Sequence, residues 1–590
     1  MSTSPLLKST LVAVFGLTLA ACGGGGGGGD GGSSTPVPPT AGSPPPPPPP
    51  PPVPPQTEIM SEADAVRFLS RSSFGASKAE ISAMQSMDAA DWVAAEFAKP
   101  VSLTLNEVLL QPRQANGNLP FNRTSQLYWD HLVESDDRLR QRMAFALSQI
   151  LVFSDISNQS RQIRRAYYQD ILIENAFGNY RDLLQDVTYS PAMAVWLTYF
   201  RNRKGDPRTG RMPDENYARE ILQLFSIGVV ELSMDGTPKL DAQGREIETY
   251  DNDDIVGLAR VFTGLSNKGE TFRRSDEDGE YSPLVMWEDQ HSQLEKTFLG
   301  TTIPAGTLGD ESINIALDTI FEHPNVAPFV SRQLIQRFTA SNPDPEYVEQ
   351  VAQAFETGTY TAANGRRFGT GDRGDLQATL AAVLLEESLF EEDSTAPRPA
   401  TTGKIREPIL RFMHWVRAFD VSNIDATNEN RLRSTADPVS GLAQHPFRSP
   451  SVFNFYRPGY VAPGTQSGEA GMTAPELQLV DATSAIGHLN FMTDFAFDRA
   501  GQPDSSRRTY IADYTDEIAM TDDFPGLLDH LDLLLTGQRM SDEEKTEIIN
   551  ILEAMPINTS TPEREDEDRL QIVQVAVTFV LNSPSFAVTW

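Results

Sequence analysis

The stretch covering residues 213–228 divides its polar and apolar residues between opposite sides of a helix. At about 100° per residue, its tyrosine, isoleucine, leucine and phenylalanine side chains fall on one side, whereas Glu215, Arg219 and Glu220 fall on the other. A proline near the start and a glycine at the end suit the two ends of a helix. The stretch therefore predicts an amphipathic helix that must bury its apolar side against other elements.

The polar side of this helix carries two glutamates, an arginine, an asparagine and a glutamine. Glu215 lies four residues before Arg219, so the two side chains can form an ion pair. Two interpretations remain open. Such pairs can stabilise an ordinary solvated surface, or the side chains can form the wall of a cleft whose carboxylates bind a divalent metal ion or a substrate.

Apolar residues at helical spacing recur through much of the chain between residues 61 and 581. The period changes over residues 229–250, where short alternating runs separated by turn residues predict a β-hairpin. We therefore expect a mainly α fold, a large multi-helix globular body with a small β-hairpin excursion. In the helix predicted over residues 138–153, we expect Arg138, Arg140 and Arg142 to form a charged face.

The N-terminus has the pattern of a targeting signal. Lys8 precedes a short apolar stretch at residues 11–19, and a Leu-Ala-Ala-Cys sequence ends at Cys22. This pattern resembles the bacterial lipoprotein signal, in which the cysteine becomes the lipidated first residue. We expect residues 1–21 to be a signal peptide and the lipid on Cys22 to attach the protein to a membrane. Gly23 after the cysteine resembles the pattern for outer-membrane sorting, so the protein would face the periplasm or the cell surface.

Residues 22–56 are rich in glycine and proline and predict a disordered linker. Residues 44–55, mostly proline, would extend roughly 35–40 Å at ~3.1 Å each in polyproline II. The helical body would occupy residues 57–590 and could divide into lobes at 57–395 and 396–590. Because Cys22 is the only cysteine, this body has no disulfide and no cysteine ligand. A net charge of −33 repels nucleic-acid backbones, so we expect no nucleic-acid partner.

Several stretches of the body resemble one bacterial exported family. They are Arg67-Phe68-Leu69 with Phe74-Gly75, residues 139–152, 214–220, 259–264, 296–300, 332–338 and 449–456. Together they are similar to the domain of unknown function 1800, over about residues 61–586. The resemblance implies an exported, largely helical protein without an established reaction. It also implies an exported partner protein, because members are often encoded beside the domain of unknown function 1501.

His291 is a candidate site residue because of its position in this family pattern. The family tends to have His-Asp ahead of a Lys-x-x-Leu-Gly segment, whereas here Ser292 follows His291. If a site needs the aspartate that the family has after the histidine, Asp289 would have to take its place in this chain. With Glu215, Arg219 and Glu220, His291 completes the set of candidate catalytic residues. Whether these side chains come together is open.

Two further strings have ordinary structural interpretations. Residues 369–374 match G-x-G-x-x-G, but no buried strand precedes them, so we expect a turn before a helix. Residues 448–460 are rich in aromatic side chains, which favours a loop attached to the core over a ligand platform.

These observations favour a lipid-anchored envelope protein that acts as a binding or assembly component with an exported partner. The alternative is a metal-assisted hydrolase that acts on an envelope or extracellular substrate. Any cofactor is unknown, and a divalent metal ion is the candidate for the alternative.

Overall fold

Helices form most of the structure, a computed structural model that describes residues 60–111, 123–155, 162–276, 278–390, 403–423, 432, 435–498 and 510–589. The α-helices are α1 Glu62–Ser72, α2 Lys78–Met84, α3 Ala89–Phe97, α4 Leu105–Leu110, α5 Arg123–Glu134, α6 Arg138–Ser148, α7 Gln162–Glu174, α8 Tyr180–Thr188, α9 Pro191–Trp196, α10 Asn216–Gln223, α11 Asn252–Val261, α12 Gly309–Phe321, α13 Val326–Phe338, α14 Pro345–Thr357, α15 Leu376–Leu384, α16 Pro408–Ala418, α17 Gln466–Glu469, α18 Ala482–Ala496, α19 Thr515–Ala519, α20 Phe524–Thr536, α21 Asp542–Glu553, α22 Pro562–Leu581 and α23 Pro584–Ala587. The predicted mainly α fold is confirmed.

Strands are short and pair in twos, all antiparallel. They are β1 Leu265–Ser266, β2 Val285–Met286, β3 Lys296–Phe298, β4 Thr301–Ile303, β5 Tyr360–Thr361, β6 Arg367–Phe368, β7 Lys404–Ile405, β8 Ser422–Asn423, β9 Tyr510–Ile511 and β10 Val588–Thr589. The excursion predicted over residues 229–250 is present as isolated antiparallel bridges, among them Val230 with Glu248 and Leu240 with Glu246. Its turns are too tightly spaced for a longer ladder to form.

One hydrophobic core joins the first and last helices of the described chain. Helix α1 packs against α20, and Phe68 of α1 contacts Trp92 of α3 edge-to-face at a centroid distance of 5.2 Å. Trp129 of α5 contacts Phe412 of α16 in the same way at 6.0 Å. Strand β10, Val588–Thr589, pairs with β7, so the last described residues lie against Lys404 and Ile405.

The helices nearest the candidate residues are α10 and α11, which pack against each other. Helix α11 begins with a capping box, in which Asp251 Oδ1 accepts from the amides of Asp253 and Asp254. The side chain of Asp254 accepts in turn from the amide of Asp251 at 2.9 Å. These acids therefore stabilise the helix start. Helix α11 also packs against β3, which places the β3–β4 hairpin beside it.

The predicted signal peptide, Cys22 and linker lie outside the described residues. Within the described residues, no helix combines the length and the apolar composition needed to cross a membrane.

Candidate functional site

Helix α10 forms within the stretch predicted from its amphipathic pattern, and its regular part is shorter than that stretch. Glu215 occupies the position before the first helical residue, and Asp214 Oδ1 accepts from the amide of Asn216 at 3.0 Å. After the helix, the chain turns at Gly228, whose φ of 70° favours glycine and whose amide donates to Leu222 O at 3.0 Å. Gly228 therefore closes the helical stretch as predicted, whereas the predicted start is wrong: the proline precedes the first turn, and Glu215 at the N-cap makes no side-chain capping hydrogen bond.

The apolar side of α10 is buried as predicted. Tyr217 is 1% exposed and stacks on Tyr199 with the ring centroids 4.2 Å apart. The Tyr217 hydroxyl hydrogen-bonds with Thr188 Oγ1 at 2.7 Å. Ile221 and Phe225 are fully buried in the core. These contacts fix the rotation of the helix.

The polar side of α10 combines an exposed ion pair with a buried carboxylate. Arg219 Nη2 lies 3.7 Å from Glu215 Oε2, and both side chains are more than one-third exposed. Glu220 is only 7% exposed, and its Oε2 is enclosed without a hydrogen-bond partner among the described residues. Tyr250, half-buried, lies near the charges of Arg219 and Glu220. We call these four residues, Glu215, Arg219, Glu220 and Tyr250, the Glu220 patch.

Burial disfavours the charge on Glu220. Loss of hydration raises the pKa of this carboxyl, and the nearby Arg219 only partly opposes that rise. An enclosed carboxylate oxygen without a donor is costly in a folded protein. The Glu220 patch therefore has an unused hydrogen-bond acceptor beside an accessible ion pair.

His291 lies in a different environment, between β2 and β3, where it contacts Thr263 just after the end of α11. It is fully buried, and its Nδ1 lies 2.8 Å from Thr263 O, so Nδ1 carries the hydrogen and donates it. Burial lowers the pKa of His291, and the neutral ring has its acceptor at Nε2, which is enclosed without a partner. Ser292, the residue that replaces the family's aspartate, donates its amide to Thr263 Oγ1 at 2.9 Å.

Asp289 faces solvent and accepts from Gln290 Nε2 at 2.7 Å. No hydrogen bond or ion pair in the described part of the chain joins Asp289 to His291. The structure therefore places the proposed substitute away from the imidazole.

Lys296 is a buried cation near His291 that the sequence reasoning did not select as a site residue. It is fully buried in β3, and its Nζ has no hydrogen-bond partner within the described ranges. Burial lowers the pKa of Lys296, and the carboxylate of Glu288 partly opposes this. Strand alternation could have identified it, because Lys296 shares a strand face with the buried Phe298.

The four candidate catalytic residues occupy two places. Glu215, Arg219 and Glu220 lie together on α10, whereas His291 contacts the residues that follow α11. No hydrogen bond or ion pair between described residues links Glu220 with His291. Among those residues, no group of three or more His, Cys, Asp or Glu side chains is arranged to hold a metal ion. The catalytic roles of the four residues stay predictions.

The two strings with ordinary interpretations are structural. Gly369, Gly371 and Gly374 all have positive φ, and Asp375 caps the start of α15 through the amide of Ala378 at 2.9 Å. In the aromatic loop, Tyr456 is 1% exposed and its hydroxyl donates to Gln149 Oε1 at 3.3 Å. The glycine string is therefore a turn before a helix, as predicted, and the loop is attached to the core. The expectation that no buried strand precedes the string is wrong, because β6 ends at the buried Phe368 directly before it.

The prediction that Arg138, Arg140 and Arg142 form a charged face is wrong for the last two. Arg140 is 7% exposed and Arg142 is fully buried. Helix α6 is covered on more than one side, and a helical period alone does not show what covers each side.

Comparison with known proteins identifies the family. The family model described as protein of unknown function (DUF1800) matches residues 67–588, nearly the whole chain. No curated protein and no solved structure matches the chain. The match includes α10, the residues around His291 and the aromatic loop. The chain therefore belongs to the DUF1800 family.

Proposed function

We propose that this protein is a lipid-anchored component of the bacterial envelope that binds or assembles with an exported partner protein. The lipid on Cys22 would attach it to the outer membrane. The proline-rich segment would hold the body roughly 35–40 Å from the attachment point, at ~3.1 Å per residue. The partner we expect is a protein of the domain of unknown function 1501 family. Membership of the DUF1800 family is compatible with this role and carries no named reaction.

The Glu220 patch is the observation that supports a binding role. Its enclosed carboxylate oxygen lacks a donor, and the exposed Glu215–Arg219 pair lies beside it. If the exposed Glu215–Arg219 pair turns aside on binding, a partner's lysine, arginine or backbone amide could supply that donor and make a charge-assisted hydrogen bond. Because the ion pair is accessible and only loosely closed at 3.7 Å, either member could turn toward a partner without much loss of stability.

Two cavities of the described part are too small for a small-molecule ligand. The one lined by Arg67, Arg406 and Thr536 has a volume of about 10 Å³, and the one lined by Tyr128, Gln169 and Phe447 has essentially none. The larger of these two has room for no more than about one water molecule. Neither has the volume of a small-molecule site.

Affinity capture from solubilised envelope tests the proposal. The wild-type protein is expected to recover the exported partner in stoichiometric amount, identified by mass spectrometry. Glu220→Gln removes the charged acceptor, and recovery should fall roughly 10- to 100-fold, the value of one charge-assisted hydrogen bond. Arg219→Gln should also weaken recovery.

Arg274→Gln is the matched control. Arg274 forms an exposed ion pair with Glu270 at 3.0 Å, with the same i,i+4 sequence spacing as the pair in the Glu220 patch. This variant should recover the partner as the wild type does. Recovery of the protein alone, or equal loss in the control, would count against the proposal.

Elemental analysis of the purified protein, dialysed without chelator, tests the metal-assisted hydrolase. One metal ion per chain that is lost in Glu215→Gln would favour the hydrolase over the assembly role. Substrate screens would then be the next step.

A further inference from the structure

Two arginines and a glutamate meet at buried positions of the body. Arg142 lies in α6, Arg337 in α13, and Glu407 immediately before α16. Together with Tyr456 of the aromatic loop, all four side chains are 1% exposed or less. We call these four residues the buried arginine cluster.

Both guanidinium groups have unused donors. Arg142 Nη2 donates to Arg337 O, and Arg337 Nη2 lies 3.5 Å from Gln149 O, at the limit of a hydrogen bond. The Nε and Nη1 atoms of both arginines are enclosed and have no partner within the described residues. Four N–H-bearing atoms therefore lack an acceptor, whereas buried donors in folded proteins are nearly always paired.

Aromatic rings hold the two arginines in place without satisfying these donors. The Arg142 guanidinium lies 4.5 Å from the centroid of the Phe338 ring, and that of Arg337 lies 5.2 Å from the Tyr456 ring. Such stacking leaves the N–H groups at the guanidinium edge free to bind in the plane. The planar edge of arginine suits two oxygens of one carboxylate or phosphate group.

The charges around the cluster leave one positive charge without a counterion. Lys404 is ion-paired with Glu476, and its Nζ also donates to Gln336 O at 2.9 Å. Glu407 is then the single carboxylate for Arg142 and Arg337. Burial lowers the pKa of Arg142 to about 10, so it stays charged at neutral pH. An uncompensated buried charge is strongly unfavourable.

Glu407 itself has one oxygen committed and one unused. Its Oε2 accepts from Gln149 Nε2 at 2.5 Å and from Gln444 Nε2 at 2.6 Å. Its Oε1 lies 3.6 Å from Lys404 Nζ and has no hydrogen-bond partner among the described residues. The cluster therefore offers several donors and one acceptor to a bound group.

The aromatic loop covers the cluster. Tyr456 lies against Arg337, and Gln336 Nε2 donates to Pro458 O at 2.9 Å. Between residues 435 and 481 the described chain contains only the short helix α17 and a 3-10 helix at Pro475–Leu479. Long irregular segments in compact domains are commonly functional.

We propose that Arg142 and Arg337 bind an oxyanion, a carboxylate or phosphate group, beneath the aromatic loop. One negative charge on the ligand compensates the excess positive charge, and its oxygens accept from one free N–H-bearing atom, Nε or Nη1, of each arginine. A monoprotonated phosphate can also donate its hydroxyl to Glu407 Oε1, whereas a carboxylate cannot. The site is independent of the Glu220 patch, so its failure leaves the partner proposal untouched.

Isothermal titration of the purified full chain, in buffer free of oxyanions, tests the proposal. Inorganic phosphate and acetate serve as the two probes. Binding of phosphate alone assigns the site to a phosphate group, and binding of acetate assigns it to a carboxylate. Arg337→Gln should weaken binding roughly 10- to 100-fold, the value of one hydrogen-bonded charge.

Arg332→Gln is the matched control because Arg332 lies on the same helix and is only partly buried. It should bind the probe as the wild type does. Glu407→Gln removes a neighbouring negative charge and should strengthen acetate binding, which a general salt effect would not do.

If Arg337→Gln does not fold, Arg337→Lys keeps the charge and removes the planar edge, and it should bind more weakly than the wild type. The proposal is overturned if neither anion binds the wild-type protein. It is also overturned if every Arg337 variant that folds binds the anion as tightly as the wild type does.

Discussion

Replacing Glu220 by glutamine should stabilise the folded protein at neutral pH. The carboxylate is 7% exposed, and its enclosed Oε2 receives no hydrogen bond from the described residues. An unsatisfied buried group costs about 1–3 kcal/mol, with more for a charged one. Glutamine keeps the volume but removes the charge, and it still leaves a neutral polar atom enclosed. We therefore expect the free energy of unfolding to rise by about 1 kcal/mol.

The pH dependence of this gain follows from the raised pKa of Glu220. In the window between the unfolded pKa, about 4.3, and the higher folded value, the folded chain binds more protons than the unfolded chain. The contribution of Glu220 to stability therefore falls as pH rises through that window. The gain in Glu220→Gln should be complete above the folded pKa and absent below about pH 4.

Urea denaturation followed by tryptophan fluorescence measures the free energy of unfolding of both proteins at pH 7 and below about pH 4. Glu215→Gln is the control because Glu215 is 37% exposed and its ion pair is weak, so its change should stay within about 0.5 kcal/mol. A wild-type protein that is more stable than Glu220→Gln at pH 7 would refute the reasoning. Glu220 would then belong to a stabilising structural network.

Three other substitutions should change stability in stated directions, each measured by urea denaturation. Gly257→Ala should destabilise the fold by about 1–3 kcal/mol, because the added Cβ would lie 1.8 Å from Thr297 O, whereas Gly459→Ala, with no atom within 4 Å, should be nearly neutral. Glu80→Gln should destabilise it by about 3 kcal/mol at pH 7. Burial raises the pKa of Glu80, but its ion pairs with two arginines lower it by more, so the pKa lies below its ordinary value. The stability that Glu80 contributes is therefore lost as pH falls through the folded pKa. Lys296→Met should stabilise the protein at pH 7, because the buried charged lysine is unfavourable in the folded state. Burial lowers the pKa of Lys296, so the folded state loses this charge before the unfolded state does, and the gain should fade toward pH ~10.4. Equal gains at pH 7 and pH ~10.4 would contradict this.

Local periodicity predicted the helices well and predicted exposure poorly. The pattern of residues 213–228 identified α10, its buried side and its final glycine, because a 3.6-residue period depends only on the chain itself. The same pattern placed Glu220 on the polar side and left open whether that side is solvated or lines a cleft, and the structure buries this residue. Arg142 is the clearer failure, since its helix is covered where the sequence predicted a charged face.

The helical class, the β-hairpin excursion and the glycine that closes the α10 stretch follow from the amino-acid sequence alone. Each of these depends on residues that are close together in the chain, where propensity and period act. Which charges are buried, and which of them meet, depends on the tertiary structure. Arg142 and Glu407 are 265 residues apart, and helix packing brings their charges together. Burial and charge compensation depend on such distant neighbours, so they follow from how the helices pack.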